Sequence, residues 1–384
     1  MNIVHVANFY GPKSGGIRTT LHQLGRGYQS LGHEFTYVVP GNGFYSEDTP
    51  SGRRITVPSI PLPFSGGYRI IRSNRDLRRL LTTLQPNRIE ISDRFTLSSI
   101  GIWAKNRKIP AVVFSHESLT GLANSYLAFS TQRLVNWHNR RLASRFDYVV
   151  TTTNFAAKEF LDINVSNVVQ VPLGVDLVTF TPHAHDKRVH IDLAKGADIL
   201  IVHVGRMSPE KKPMRSIETI AELQRRGIKA HLVFIGIGPM WNQLREAATD
   251  LPVTFLGYIA DRNRVAAILA SSDISLAPGP IETFCLAALE SIASGTPVVA
   301  SQTSAVGEFL AIDSENPAGA TATNSGAAFA DAIEKLLEGD LPKMSLACRE
   351  QAERFPWTHT IEQLLAIHSH GAGAVSTPPK LRVA

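Results

Sequence analysis

The chain has 384 residues, of which 43% are hydrophobic and 19% charged, with 28 Gly and 22 Pro. This composition excludes a disordered chain, a collagen, a coiled coil and a disulfide scaffold, and the length calls for two domains rather than one core. The net charge of +6 is unevenly spread: residues 1–176 carry 20 basic against 11 acidic side chains, the remainder 19 against 22. A basic half joined to a mildly acidic one points to an anionic partner, whether nucleic acid, a lipid surface or an acidic substrate.

Strand patterns at 2–8, 34–40, 88–92, 111–116, 148–152 and 168–171 alternate with helix-period stretches at 17–31, 74–84, 97–106 and 131–144. Strand, helix, strand in this rhythm predicts parallel βαβ units. The segment 171–182, punctuated by Pro172, Gly174 and Pro182, reads as a linker. After a polar stretch around 183–195 the rhythm resumes, with strands at 199–204, 231–236, 253–256, 274–277 and 298–300 and helices at 214–226, 240–247, 262–270 and 284–294. The expected fold is therefore α/β, two doubly wound parallel-sheet (Rossmann-like) domains facing across a cleft. Residues 1–176 make the first domain, with a terminal helix at 355–371 packing back on it; 177–354 make the second, and 372–384 a flexible tail. No internal repeat or low-complexity segment stands out.

The two cysteines, Cys285 and Cys348, allow at most one bridge, which fits a reducing compartment. The N-terminus lacks the basic n-region of a signal peptide, and no apolar run of about eighteen residues exists, so the chain reads as cytoplasmic without a membrane span.

Ligands of open α/β sheets bind outside the carboxyl ends of the strands, so segments just after strands carry the functional signal. GPKSGGI, residues 11–17, follows the first strand; Gly15 and Gly16 let amides approach a ligand, and the helix that follows favours an anion. GRMSPEKKP, 205–213, places Arg206 and Lys211 at the mouth of the second sheet, a fork and a point charge suited to a diphosphate. GIGP, 236–239, and GYIADR, 257–262, follow the next strands, where Gly236 offers a loop and the backbone of Tyr258 and Ile259 a base-reading edge. Each of these segments also reads as an ordinary βα turn or a solvated charged loop. The most specific segment is PIETFCLAALESIASGTPVVA, 280–300: the turn at 283–286 presents helix N-terminal amides. Glu282 lies just ahead of them, suited to sugar hydroxyls, and Glu290 lies two turns on, suited to a ribose diol.

GRMSPEK, GIGP and ETFCLAALE, in this order and spacing, resemble the retaining glycosyltransferases of family 4, which have the GT-B fold; SGGI and PLGVDLVTFTP are similar to the corresponding segments of that family. ETFC and FYGPKSGGIRT look closest to actinobacterial mannosyltransferases that build phosphatidylinositol mannosides or glucuronosyl-diacylglycerol lipoglycans. The resemblance implies transfer of a hexose, mannose from GDP-mannose, onto a membrane glycolipid, with a UDP-sugar donor as the alternative. It implies that the Gly15–Gly16 loop approaches the donor diphosphate and that Arg206 and Lys211 neutralise the leaving group. Glu282 would bind the transferred sugar beside the amides of Phe284, Cys285 and Leu286, Glu290 would hold the ribose, and His116 would face the sugar. Ile237 departs from the family, whose members often have Asp between the two glycines.

Retention by front-face attack would make neither glutamate a nucleophile, and with no DxD-like pair no obligatory metal or other cofactor is expected. Residues 69–79 contain five arginines; Arg69, Arg72, Arg75 and Arg79 are expected to share one helical face and to contact an anionic membrane, as is a second cluster of Arg133, Arg140, Arg141 and Arg145 with Trp137. This would place the protein peripherally on the inner face of the membrane, with a lipid-linked acceptor. Nucleic acid is the rival partner for so basic a half, but no recognisable module supports it. A sugar-nucleotide epimerase is the rival enzyme. A glycoside hydrolase does not fit two carboxylates separated by two turns of one helix.

Overall fold

The computed structural model describes residues 1–11, 15–62, 67–121 and 132–369. It divides into two compact units, Met1–Leu173 with the C-terminal segment from Trp357, and Gly174–Pro356. The expected tail at 372–384 lies outside the described residues.

In the first unit the strands are β1 (Asn2–Ala7), β2 (Glu34–Gly41), β3 (Tyr45–Thr49), β4 (Gly52–Pro61), β5 (Arg69–Ile71), β6 (Arg88–Ser92), β7 (Ala111–Ser115), β8 (Tyr148–Thr151) and β9 (Val168–Gln170). They lie in the order β3-β4-β2-β1-β6-β7-β8-β9, parallel except for β3, with β5 antiparallel to the far end of β4. The helices are α1 (Gly16–Ser30), α2 (Asn74–Leu84), α3 (Ser99–Lys105), α4 (Gln132–Ala143), α5 (Asn154–Leu161) and, from the end of the chain, α13 (Trp357–Ser369). Strands such as NIVHVA are buried along almost their whole length because helices cover both sheet faces. Val4, Ile89, Ile91, Val113, Leu81 and Phe160 form the core, each fully buried aliphatic or aromatic side chain stabilising the fold by roughly 1.5–3 kcal/mol. Helix α13 reaches α1 at Gly27, where a Cβ would lie 2.0 Å from Ile361 Cδ1, so only glycine admits that contact.

Two sequence expectations change here. The sequence pattern assigns no strand between residues 41 and 71, yet this stretch holds β3, β4 and β5. Their alternation is broken by glycines and prolines, and β4 is recognised by its six-residue parallel pairing with β2 from Thr36↔Arg53 to Gly41↔Pro58. The arginines do not share one helical face. Arg69 lies in β5, its Nε donating to Ser59 Oγ at 2.7 Å, and Arg72 precedes the N-cap Ser73, whose hydroxyl accepts from the Asp76 amide. Pairing of Ile70 and Ile71 with β4 draws that stretch into the sheet, so only Arg75, Arg78 and Arg79 are helical.

The second unit holds β10 (Ile199–Val204), β11 (Ala230–Ile235), β12 (Val253–Gly257), β13 (Ile274–Ala277), β14 (Val298–Ser301) and β15 (Gly319–Ala322), all parallel, in the order β12-β11-β10-β13-β14-β15. Its helices are α6 (Lys187–Ala194), α7 (Pro213–Arg225), α8 (Trp241–Ala247), α9 (Arg262–Ala270), α10 (Leu286–Ala293), α11 (Gly326–Leu337) and α12 (Leu341–Glu353). The polar stretch around 183–195 contains α6: Asp186 caps its first turn and Lys195, at φ 52°, ends it. In each unit the strand order reverses beside the first strand, between β1 and β6 and between β10 and β13, and these switch points are where such sheets take ligands.

Candidate active site

The second unit's switch point is lined by the loops after β10 and β13. After β10 the chain runs through Gly205 and Arg206, buries Met207, and makes a short 3-10 turn at Pro209–Lys211 before α7 starts with Pro213 at its first position. Pro209 and Pro213 have the fixed φ and missing N–H that suit helix starts. The turn points the Lys211 ammonium at Glu282, with Nζ donating to both carboxylate oxygens at 2.6 Å. Burial disfavours the lysine charge, but the Glu282 carboxylate outweighs it and raises the ammonium above the ordinary lysine value. Lys211 is about a third exposed and Glu282 nearly buried, at 37% and 10% of side-chain area.

Glu282 is held by backbone rather than by side chains alone. Its carbonyl accepts from Ala305 N at 2.9 Å, and a Cβ on Gly279 would come within 2.8 Å of its Oε1, so Gly279 makes room for the carboxylate. Arg215 of α7, almost fully buried, fixes the start of this loop: its guanidinium donates to the Pro278 carbonyl at 2.5 Å and to Asn324 Oδ1 at 2.8 Å. Neither Gly279 nor Arg215 is signalled by the sequence motifs, because each acts on loop shape. Cys285, at φ 71° and ψ 78°, occupies the left-handed region in which a non-glycine residue is strained, and it turns the chain into α10. Its thiol is pushed up to about 12 by burial and by the Glu282 charge, against the pull of Lys211, so it is protonated at neutral pH. Phe284 packs its ring on Phe309 at 5.6 Å, leaving its backbone as the part that faces the loop; Leu286 opens α10.

Glu290, on α10, is buried and paired with Arg262 at 2.5 Å, while the Arg262 guanidinium lies 4.6 Å over the Phe180 ring. Burial raises the carboxyl above the ordinary value, and Arg262 offsets this only in part. The sequence motif GYIADR contains Arg262, but nothing in spacing alone ties it to Glu290. Tyr258 and Ile259 follow β12, the edge strand two places from the switch point, with Tyr258 exposed. Gly236 has a different part: its N–H donates to the Gly257 carbonyl at 2.7 Å, and a Cβ there, at φ 129°, would sit 2.0 Å from the Gly205 carbonyl. Gly238 likewise admits the Met207 carbonyl. The GIGP glycines thus let the β11 loop lie directly on the β10 loop at Gly205 and Met207, either side of Arg206.

In the first unit, Gly15 precedes α1 and Gly16 begins it; a Cβ on either would meet nothing within 4 Å. Internal packing therefore does not require glycine at these two positions. His116 follows β7, stacked on Phe114 at 5.6 Å, with Nε2 2.9 Å from Ser92 Oγ. Burial, and then the proximity of His5, lower its pKa to about 4, so the ring is neutral at pH 7. On the surface of the same unit, α4 exposes Arg133, Leu134, Trp137, Arg140 and Arg141, with Arg141 5.3 Å over the Trp137 ring. Both cysteines are free thiols, and no helix among the described residues is long and apolar enough to cross a membrane.

Over residues 187–355 the sequence matches the family model described as Glycosyl transferases group 1, and over 14–179 the one described as Glycosyltransferase Family 4. It is 44% identical over 379 residues to the GDP-mannose-dependent alpha-(1-6)-phosphatidylinositol dimannoside mannosyltransferase of Mycobacterium tuberculosis, with 98% of each chain covered. It is 26% identical over 313 residues to a GDP-mannose-dependent alpha-mannosyltransferase of Mycolicibacterium smegmatis, covering 78% of this chain and 79% of that one. Among solved structures it is similar to sucrose-phosphate synthase of Thermosynechococcus elongatus, with a TM-score of 0.74, 20% identity, and 96% and 99% of the two chains covered. Anabaena HepE in complex with UDP and glucose gives a TM-score of 0.74 at 16% identity, with 96% and 99% covered. At these identities the structural likeness speaks for the fold alone.

Proposed function

The chain belongs to glycosyltransferase family 4, and from that premise we propose that it moves an α-mannosyl residue from GDP-mannose to a phosphatidylinositol-mannoside-type glycolipid at an anionic membrane face, with retention and without an obligatory metal. The observation that carries this reading is the 44% identity, end to end, with the mycobacterial phosphatidylinositol dimannoside mannosyltransferase.

The chemistry of the site supports it. Arg206 and Lys211 follow the first strand of the second sheet, where a diphosphate leaving group finds a fork and a point charge. An ammonium carries three hydrogens, and the two engaged on Glu282 leave a third for a phosphate oxygen. The leaving group is thereby stabilised by charge already in place, the term that dominates most transfer reactions of this kind. Glu282 is the acceptor for sugar hydroxyls, with the α10 amides beside it. Glu290 takes the ribose diol, its carboxylate oriented in advance by Arg262. The bareness of Gly15 and Gly16 is explained by a diphosphate that passes close to the backbone. His116 faces the sugar as a neutral ring. The leaving phosphate oxygen accepts the proton of the attacking hydroxyl, so no glutamate need be a nucleophile.

Membrane contact is assigned to α4 more than to the arginines around α2. Trp137 and Leu134 supply apolar area at 58% and 69% exposure, and Arg133, Arg140 and Arg141 surround them. Each arginine near an anionic surface contributes about 1 kcal/mol. Flotation with anionic vesicles, lost on Arg140→Ser with Arg141→Ser while turnover of a water-soluble acceptor persists, is the expected result; vesicle binding unaffected by that pair removes α4 from the reading.

Donor identity is tested by thermal shift against GDP, UDP, GDP-mannose and UDP-glucose, since a ligand bound only by the folded chain stabilises it by about 2.7 kcal/mol at a hundredfold excess over Kd. Guanosine ligands alone are expected to raise the melting temperature; a shift with uridine ligands instead overturns the GDP-mannose donor. Unchanged turnover in EDTA is expected, and its loss overturns the metal-free reading.

A further inference from the structure

Behind His116 lies a continuous chain of buried polar groups that the transfer chemistry above does not use. His5 of β1 has Nδ1 2.7 Å from Glu90 Oε2 and Nε2 2.7 Å from Ser92 Oγ. Glu90 Oε1 accepts from the Tyr28 hydroxyl of α1 at 2.7 Å and lies 2.8 Å from His368 Nε2 of α13. Ser92 Oγ in turn lies 2.9 Å from His116 Nε2. His5, Glu90, Ser92 and His368 are each 3% exposed or less. The rings of Phe35 and Phe114, which carry no charge, close the other sides of His5. The groups that can exchange a charge or a proton with His5 are therefore Glu90 and Ser92 of β6, Tyr28 and His368 through Glu90, and His116 through Ser92.

Hydrogen counting along this chain leaves few arrangements. Burial alone would favour a neutral Glu90, but the hydrogen bonds from His368 and His5 outweigh it and hold the carboxyl well below the usual range, so the group is an anion and an acceptor only. His5 Nδ1 must then carry a hydrogen. A serine hydroxyl owns one hydrogen and stands here between two imidazole nitrogens. When His5 is neutral, its Nε2 is bare, Ser92 donates to it, and Ser92 can only accept from an Nε2–H of His116. When His5 is an imidazolium, its Nε2–H donates to Ser92, Ser92 donates onward, and His116 Nε2 must be bare. A neutral His116 then carries its hydrogen on Nδ1.

We propose that His5 is a positioning residue for the transfer reaction: through the single hydroxyl hydrogen of Ser92 it decides whether His116 Nε2 carries a hydrogen, and so which tautomer the neutral His116 ring adopts. This rests on the reading that His116 faces the transferred sugar, where the two forms recognise hydroxyls in opposite senses. Glu90 and its partners on α1 and α13 hold the far end of the relay, so the C-terminal helix is built into the orientation of a residue after β7.

The test uses the full-length protein with 15N-labelled histidine, long-range proton–nitrogen correlation spectra, and assignment of His5 and His116 by their loss in His5→Asn and His116→Gln. At every pH sampled across the neutral range the two rings must obey one rule: neutral His5 with hydrogen on His116 Nε2, or charged His5 with hydrogen on His116 Nδ1. Ser92→Ala should break the correspondence and lower kcat about tenfold; Ser92→Thr, which keeps the hydroxyl, should restore both. A mismatched pair of ring states in the native protein, or an unbroken correspondence in Ser92→Ala, overturns the relay. A broken correspondence with native turnover overturns its part in the reaction. If His116→Gln retains full activity, the sugar-facing reading of His116 fails, and the spectra still decide the coupling by themselves.

Discussion

The string Ile-Val-His-Val occurs twice, at residues 3–6 and at 201–204, each time in the first strand of its unit and at the centre of a parallel sheet. Its two histidines have different fates. His203 bonds Ser216 Oγ of α7 at 2.9 Å, and burial together with the Lys211 charge lowers its pKa to about 3. His5 sits between a carboxylate and a hydroxyl and is linked through them to three further side chains, Tyr28, His368 and His116. The same four residues thus give an inert, neutral core ring in one unit and a relay in the other. Strand position decides that both are buried; the neighbouring strand decides the chemistry. Glu90 and Ser92 of β6 stand beside β1, whereas β13, beside β10, offers apolar residues and Ser275.

The largest effect should fall on the charges of the second unit. Lys211→Ala removes the point charge on the leaving group, and kcat/KM should drop about a thousandfold, the upper end of what one preorganised electrostatic group contributes, with the circular dichroism spectrum retained. Near-native turnover in that variant sinks the site. Next comes the carboxylate in the first unit's relay. Glu90→Gln keeps shape but removes the anion from three partners, so unfolding should become easier by about 3 kcal/mol in denaturant titration, whereas His203→Asn, with one hydroxyl partner to lose, should cost less than half as much. Equal costs for the two would abolish the contrast drawn between the rings.

Glu290→Gln should act on binding rather than chemistry, raising KM for the donor about tenfold with kcat little changed, because a ribose contact is the same in ground and transition states. Gly279→Ala sets a Cβ against Glu282 and should lower kcat roughly tenfold at unaltered melting temperature, while Gly16→Ala, which meets nothing inside the protein, should leave stability alone and weaken donor binding. The smallest effect is on pH. His116 and His203 bind their protons less readily folded, at about 4 and about 3 against 6.5 unfolded, so the unfolded chain takes up more protons as pH falls below 6.5 and stability declines from there toward pH 4. The Glu90 pKa is depressed, so its contribution persists above 4.5 and is lost only below it. Melting temperature should therefore begin to fall near pH 6.5, and His203→Asn should reduce that early slope.

Much of the architecture was legible before any coordinates. Continuous apolar runs such as ILIVHV and AHLVFI, set between helix-period stretches, can only be strands covered on both faces, and Arg206, Lys211, Glu282 and Glu290 follow strands at places where such sheets bind ligands. What was misjudged has physical causes. Strands β3 to β5 lie at one side of the sheet, and their pairing, not their composition, makes them strands. Arg69 and Arg72 fit a helical period, but Ile70 and Ile71 were claimed by β4 and Ser73 capped the helix after them.

The sequence by itself determined the two parallel sheets, the loops that bear charge and the family, because local hydrophobic period and motif spacing are properties of neighbouring residues. Only the tertiary structure decided that Lys211 closes on Glu282 across 71 positions, that Arg262 holds Glu290, and that His5, Glu90, Ser92, His116 and His368 form one chain. Partners so far apart along the chain are selected by the register of parallel strands and by the docking of helices, and no local pattern encodes either.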